Sequence, residues 1–200
     1  MAAEHLDLSI LAPARRAPDA GDHFVEFHED DGSLVELIRT FLSPALLTGE
    51  AVIIVATAPH RRAVEDRLVA SGIDVGAAVR DGLYVSLDAE ETLSRFMVDG
   101  ELDEALCVET LEALLVPAAR RGNHVRVFGE MVAVLWAQGN VTGAIALERV
   151  WNRLAETLPF RLFCSYPVHA FATEDADSLR EICGHHSHVI PPARIERRLT

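Results

Sequence analysis

Apolar residues in this chain fall into two kinds of pattern: short continuous runs, and longer stretches spaced by three and four. Ala51 to Ala56 has no polar residue, as a strand buried on both faces of a parallel sheet requires. His23 to His28, Leu83 to Leu87, the stretch from Asn123 that stops at Gly129, and Phe160 to Tyr166 are further expected strands. Helical periods lie between them. After an Asp30-Asp31-Gly32 turn, Ser33 and Glu36 have capping-box spacing, and Leu34, Leu37, Ile38, Phe41 and Leu42 share one face. Pro44 should kink or end that helix, and Gly49 terminates the element. Pro59 suits the first turn of a helix that turns Val64 and Leu68 inward and stops at Gly72. A short helix is expected over Val75 to Arg80. Asp88 and Glu91 then repeat the capping spacing, and a long helix runs from Leu102 to Arg121 with a bend at Pro117. Ala144, Leu147, Trp151, Leu154 and Leu158 form the stripe of a helix over Gly143 to Leu158, capped by Thr142. Glu174 to Cys183 is the last helix and ends at Gly184.

Strand and helix alternate without hairpin signals. The expected fold class is α/β, a mostly parallel central sheet with helices on both faces. The chain's 200 residues suit one domain. Residues 1–22 read as a flexible leader, 23–190 as the domain and 191–200 as a flexible tail, because neither end carries a sustained apolar period.

Within this pattern, Asn123 to Met131 reads as a central strand that stops at Gly129 and sets Glu130 where a helix begins. Ligands of parallel sheets sit in the crevice beyond the carboxyl ends of the strands. Glu130 would stand at that edge. The plainer local reading is that it complements the positive end of the helix it begins.

Charge narrows the function. Lys+Arg is 18 against 31 Asp+Glu, a formal net charge of −13, and every basic residue is arginine. Direct nucleic-acid and membrane partners are not expected. Without lysine there is no Schiff-base or P-loop lysine, and the first loop, His28-Glu29-Asp30-Asp31-Gly32-Ser33, would repel a triphosphate. Cys107, Cys164 and Cys183 are odd in number and widely spaced, as reduced intracellular thiols are. No run spans a bilayer and no signal peptide is visible, so a cytoplasmic location is expected.

Little catalytic chemistry is visible. Cys183-Gly184-His185-His186-Ser187-His188 is dense in metal-type ligands, but a zinc site needs about four. Only this one cluster is seen, so solvated histidines at a helix end, with no metal and no cofactor, are expected. Glu148 and Asn152, four apart, share a helical face that could turn toward Glu130. Glu148 could instead pair locally with Arg149 or Arg153. No nucleophile accompanies them, and no catalytic residue is assigned. Arg126, inside a strand, needs a carboxylate partner. Cys164 reads as a small core residue, and Tyr166 as core or pocket wall.

Six stretches resemble, in order, a known family. They are His23-Phe24-Val25-Glu26-Phe27-His28; Gly49-Glu50-Ala51-Val52; Val125-Arg126-Val127-Phe128-Gly129-Glu130-Met131; Leu147-Glu148 with Asn152; Leu162-Phe163-Cys164-Ser165-Tyr166; and Cys183 with His186-Ser187. Together they are similar to the MEDS domain, the methanogen/methylotroph DcmR-type sensory domain. The resemblance implies a derived RecA/KaiC-like fold without its phosphate-binding loop. It also implies a sensory input module for small organic compounds, serving transcription regulators and histidine kinases. By resemblance, Glu130, Glu148, Asn152, Tyr166 and His186 become ligand-pocket candidates. His28 joins them at the rim, where a tyrosine is common, and Pro44 stands where small residues are usual. No output region follows, so a separate kinase, regulator or anti-sigma-type partner is expected. The reading is a non-enzymatic sensor. The alternatives are an enzyme using Glu130 with Glu148, or a vestigial scaffold with a filled crevice.

Overall fold

The computed structural model of the protein describes residues 21–122, 124–170 and 176–190. Residues 1–20, the tail 191–200, Asn123 and the expected helix start at Glu174 lie outside these. Asp22, placed in the leader by sequence, is buried and pairs with His188 at 3.3 Å.

The strands are β1 (His23–His28), β2 (Ala51–Ala56), β3 (Tyr84–Asp88), β4 (Met97–Val98), β5 (Glu101–Leu102), β6 (Val125–Gly129), β7 (Phe160–Pro167) and β8 (His188–Ile190). The helices are α1 (Asp31–Leu47), α2 (Ala58–Ala70), α3 (Val75–Arg80), α4 (Ala89–Leu93), α5 (Glu104–Arg121), α6 (Met131–Ala137), α7 (Val141–Thr157) and α8 (Ala176–Gly184). Six strands form one parallel sheet in the order β3-β2-β6-β7-β1-β8.

Because strand side chains alternate, the sheet has two cores. Val25, Phe27, Ile53, Val127, Leu162 and Cys164 face α5, α6, α7 and α8. Val52, Ile54, Phe128 and Phe163 face α1 and α2. Helices α2 and α3 carry the chain from β2 outward to β3, whereas α6 and α7 carry it from β6 the other way to β7. Strand order therefore reverses between β2 and β6, where such sheets leave a crevice. No helix among the described residues is long and apolar enough to cross a membrane.

Several local expectations are corrected. Helix α1 starts earlier, at Asp31: Asp30 accepts the Ser33 amide, and the box joins Asp30 with Ser33, not Ser33 with Glu36. Pro44 lies inside α1, which continues to Leu47. Helix α7 is capped by Asn140, whose side chain accepts the Gly143 amide, and not by Thr142. A hairpin does exist: β4 and β5 pair antiparallel around Asp99-Gly100. Both turn residues have positive φ, 52° and 84°, as the tight Asp-Gly hairpin turn demands. Two of the three histidines after α8 are not solvated, because His186 and His188 are buried and β8 pairs with β1.

Candidate functional site

The crevice between β2 and β6 is spanned by the protein's own side chains. Glu130 stands just before α6 but makes no side-chain cap there. Its carboxylate reaches α2, accepting the Thr57 amide at 2.8 Å and the Thr57 hydroxyl at 3.2 Å. His60 Nδ1 lies 2.7 Å from Glu130 Oε1, and His60 Nε2 lies 3.6 Å from Asp31 in the first turn of α1. The bond to Glu130 raises the His60 pKa above 6.5, against its partial burial. Nearby, the Ser165 hydroxyl donates to the Glu26 carbonyl at 2.9 Å, so its oxygen accepts from His28 Nδ1 at 2.8 Å. Burial lowers the His28 pKa to about 4, against the pull of Glu130.

Glu148 lies under the opposite face. It is fully buried, and local pairing is ruled out by geometry: Arg149 pairs with Glu181, and Arg153 with Glu104. The Tyr166 hydroxyl donates to Glu148 Oε1 at 2.8 Å, His23 Nε2 lies 3.3 Å from Oε2, and Cys164 Sγ lies 3.8 Å from Oε2. His186 Nε2 stands 3.5 Å from Oε1. Asn152 Oδ1 accepts from His23 Nδ1 at 3.0 Å. Burial pushes the Glu148 carboxyl up, but His186, His23 and the Tyr166 hydroxyl together outweigh it and hold it down. Burial keeps His186 neutral, lowering it to about 3. A neutral ring lends no charge, which leaves the Tyr166 hydroxyl as the firm hydrogen-bond donor to the carboxylate.

A third feature lies on the α1 face. A cavity of about 390 Å³ is bordered by Phe24, Leu37, Phe41, Phe163, Arg126 and Arg161, among others. Arg126 has the carboxylate partner that its strand position required: Nε and Nη2 donate to Glu50 at 2.9 and 3.0 Å, and Nη1 donates to the Phe41 carbonyl. Arg161, half-buried beside it, makes no ion pair among the described residues.

The six candidates therefore divide. Glu148, Tyr166 and His186 meet in one buried cluster with half-buried Asn152 at its margin, while Glu130 and His28 lie at the carboxyl edge. Glu130 and Glu148 do not share a crevice, because their partners lie on opposite faces of the sheet. Sequence reasoning missed Thr57, His60 and Arg161. A threonine ahead of Pro59, where a helix N-terminus was expected, was the available signal for the first. It also assigned no site role to His23 or Cys164, whose partners are distant in the chain.

Residues 22–187 match the family described as MEDS, MEthanogen/methylotroph, DcmR Sensory domain. No curated protein matches the chain. Among solved structures, the flagellar accessory protein FlaH from Methanocaldococcus jannaschii is similar, with a TM-score of 0.54 and 11% identity. The match covers 86% of this chain and 71% of that one. The fold is RecA/KaiC-like.

Proposed function

Because the chain belongs to the MEDS family of sensory domains, we propose that it binds a small organic ligand and passes the signal to a signalling partner, without catalysis. The observation that carries this reading is the cavity of about 390 Å³ on the α1 face. Its size and make-up, aromatic walls with a few convergent polar groups, suit a small ligand. Arg161 is the cation placed to meet a carboxylate or carbonyl oxygen. Helix α1 joins this cavity to the carboxyl edge: Leu37, Thr40 and Phe41 line the cavity, while Asp31 meets His60 and, through it, Glu130. A ligand seated against Phe41 shifts the population toward one placement of α1. The Glu130–His60 contact holds the other end, and a kinase, regulator or anti-sigma-type partner reads the helix.

The separate surroundings of Glu130 and Glu148 speak against the acid/base pair that an enzyme would need. Native mass spectrometry of freshly purified protein, unsubstituted and Arg161→Gln, is the test. A retained small mass that the variant loses is expected. Bare protein in both, with no thermal shift across small organic acids and alcohols, would count against ligand sensing.

A further inference from the structure

The cluster around Glu148 has a geometry that core packing does not require. His23, His186, Cys164 and Glu148 each offer one donor atom within 4.8 Å of the others, and all four residues are buried. His23 Nε2 is 3.3 Å from both Cys164 Sγ and Glu148 Oε2, Sγ is 3.8 Å from Oε2, and His186 Nε2 is 3.5 Å from Oε1. Zinc bonds of about 2.0 Å to nitrogen or oxygen and 2.3 Å to sulfur give tetrahedron edges of roughly 3.3–3.6 Å. The four separations given, 3.3–3.8 Å, approach these, with Oε2 facing His23 and Cys164 and Oε1 facing His186, while the whole set spans up to 4.8 Å and would tighten on binding.

Outer hydrogen bonds aim both rings. His186 Nδ1 bonds the Ile182 carbonyl at 2.7 Å, so that nitrogen carries the proton. His23 Nδ1 donates to Asn152 Oδ1, and Asn152 in turn donates its amide hydrogen to the His185 carbonyl at 2.8 Å. Both histidines thus turn Nε2 inward, the orientation that outer partners impose on metal-binding imidazoles. His186 Nε2 has no hydrogen-bond partner among the described residues. That atom faces a carboxylate oxygen inside the core, a contact of two acceptors that a shared proton or a bound cation relieves.

We propose that His23, Glu148, Cys164 and His186 bind one divalent cation of the zinc class in a closed, tetrahedral site. Two imidazoles, a thiolate and a carboxylate form a donor set of the borderline softness that zinc accepts. Four protein donors leave no open position, so the ion is structural and not catalytic. It would tie β1, β7, α7 and the α8–β8 turn together. On binding, Cys164 releases its S–H proton to solvent and the sulfur bonds the metal. A surface cavity of about 380 Å³ is lined by Asn152 and His185, the two residues whose hydrogen bonds back the His23 ring.

Cobalt(II) titration of the chelator-stripped full chain tests this. A thiolate-to-cobalt charge-transfer band with tetrahedral d–d bands is expected, saturating at one equivalent and displaced by zinc. Cys183→Ser should keep the band and Cys164→Ser should lose it. Because Cys164→Ser can unfold the core, zinc X-ray absorption of the unsubstituted, zinc-loaded protein is the second measurement, with one sulfur among nitrogen and oxygen neighbours expected. No cobalt uptake, a band that follows Cys183, or a zinc shell without sulfur would each overturn the site.

Discussion

The carboxylate of Glu130 accepts the backbone amide hydrogen of Thr57 at 2.8 Å. Glu130 begins one helix and caps another, since Thr57 is the N-cap of α2 and forms no side-chain cap bond of its own. That amide is one of the donors a helix leaves unpaired at its first turn. A residue distant in sequence supplies the acceptor and so fastens the end of β6 to the start of α2.

Removing that acceptor has a cost. Glu130→Ala is expected to destabilise the fold by about 1–3 kcal/mol, the range for a buried donor left unpaired. Glu130→Gln keeps an acceptor and should cost less. Combined with His60→Gln, the effects should deviate from additivity by at least about 0.5 kcal/mol. Denaturant midpoints of the single and double variants measure this, and simple additivity would show that the two side chains do not act together.

The two edge histidines make opposite pH signatures. His60 has its pKa raised above 6.5 in the fold, first by its bond to Glu130. Its contribution is therefore complete below 6.5 and is lost as pH rises through the folded pKa. His28 is lowered from 6.5 to about 4 by burial. Its contribution is present above 6.5 and is lost as pH falls from there toward 4. Stability measured from pH 4 to 8 should show a shallower acid loss in His28→Asn, and a smaller loss on the neutral-to-alkaline side in His60→Gln. Parallel curves for all three proteins would refute both assignments.

Arg126 and Glu50 form a bidentate pair whose side chains are only 15% and 13% exposed. Removing one partner strands the other charge. Either Arg126→Met or Glu50→Gln should cost about 1–3 kcal/mol, less than for a fully buried pair because some water reaches it. The double variant should cost less than the sum of the two. Thermal unfolding of the three variants decides whether the pair is coupled.

The cysteines are all free, with Cys107 and Cys164 buried and Cys183 half-buried. Burial pushes Cys183 up to about 11, Cys107 up to about 12, and Cys164 well above its ordinary value. Alkylation of the denatured, unreduced protein should add three labels. In the native protein Cys183 should react first and all three slowly, as poorly ionised thiols do. A missing pair of labels in the denatured sample would reveal a disulfide.

How much of this was legible in the sequence follows from range. The runs that mark β2 and α3 were read with their observed bounds, because burial on both faces and a short helical period are local signals. Arg126's need for a carboxylate was legible too, since an arginine inside a strand is costly wherever the strand lies. Cap residues slipped by a few positions, as at Asp30 and Asn140, because several short polar residues competed for each helix start. The Asp99-Gly100 hairpin was hidden by strands of two residues each, too short to show alternation. The buried cluster was beyond local reading. In sequence, His23 is a strand's first residue, Glu148 a helix flank, Cys164 a core filler and His186 a helix end. Parallel register sets Val25 beside Cys164 and Phe24 beside His188, and this brings His23 to Cys164 and the α8–β8 turn to both. The alternation of apolar runs thus determined the layers and the direction of the strands, because each element must bury its own apolar side. Only the tertiary structure decided which polar groups meet, because strand order and register, and not spacing along the chain, set the distances between them.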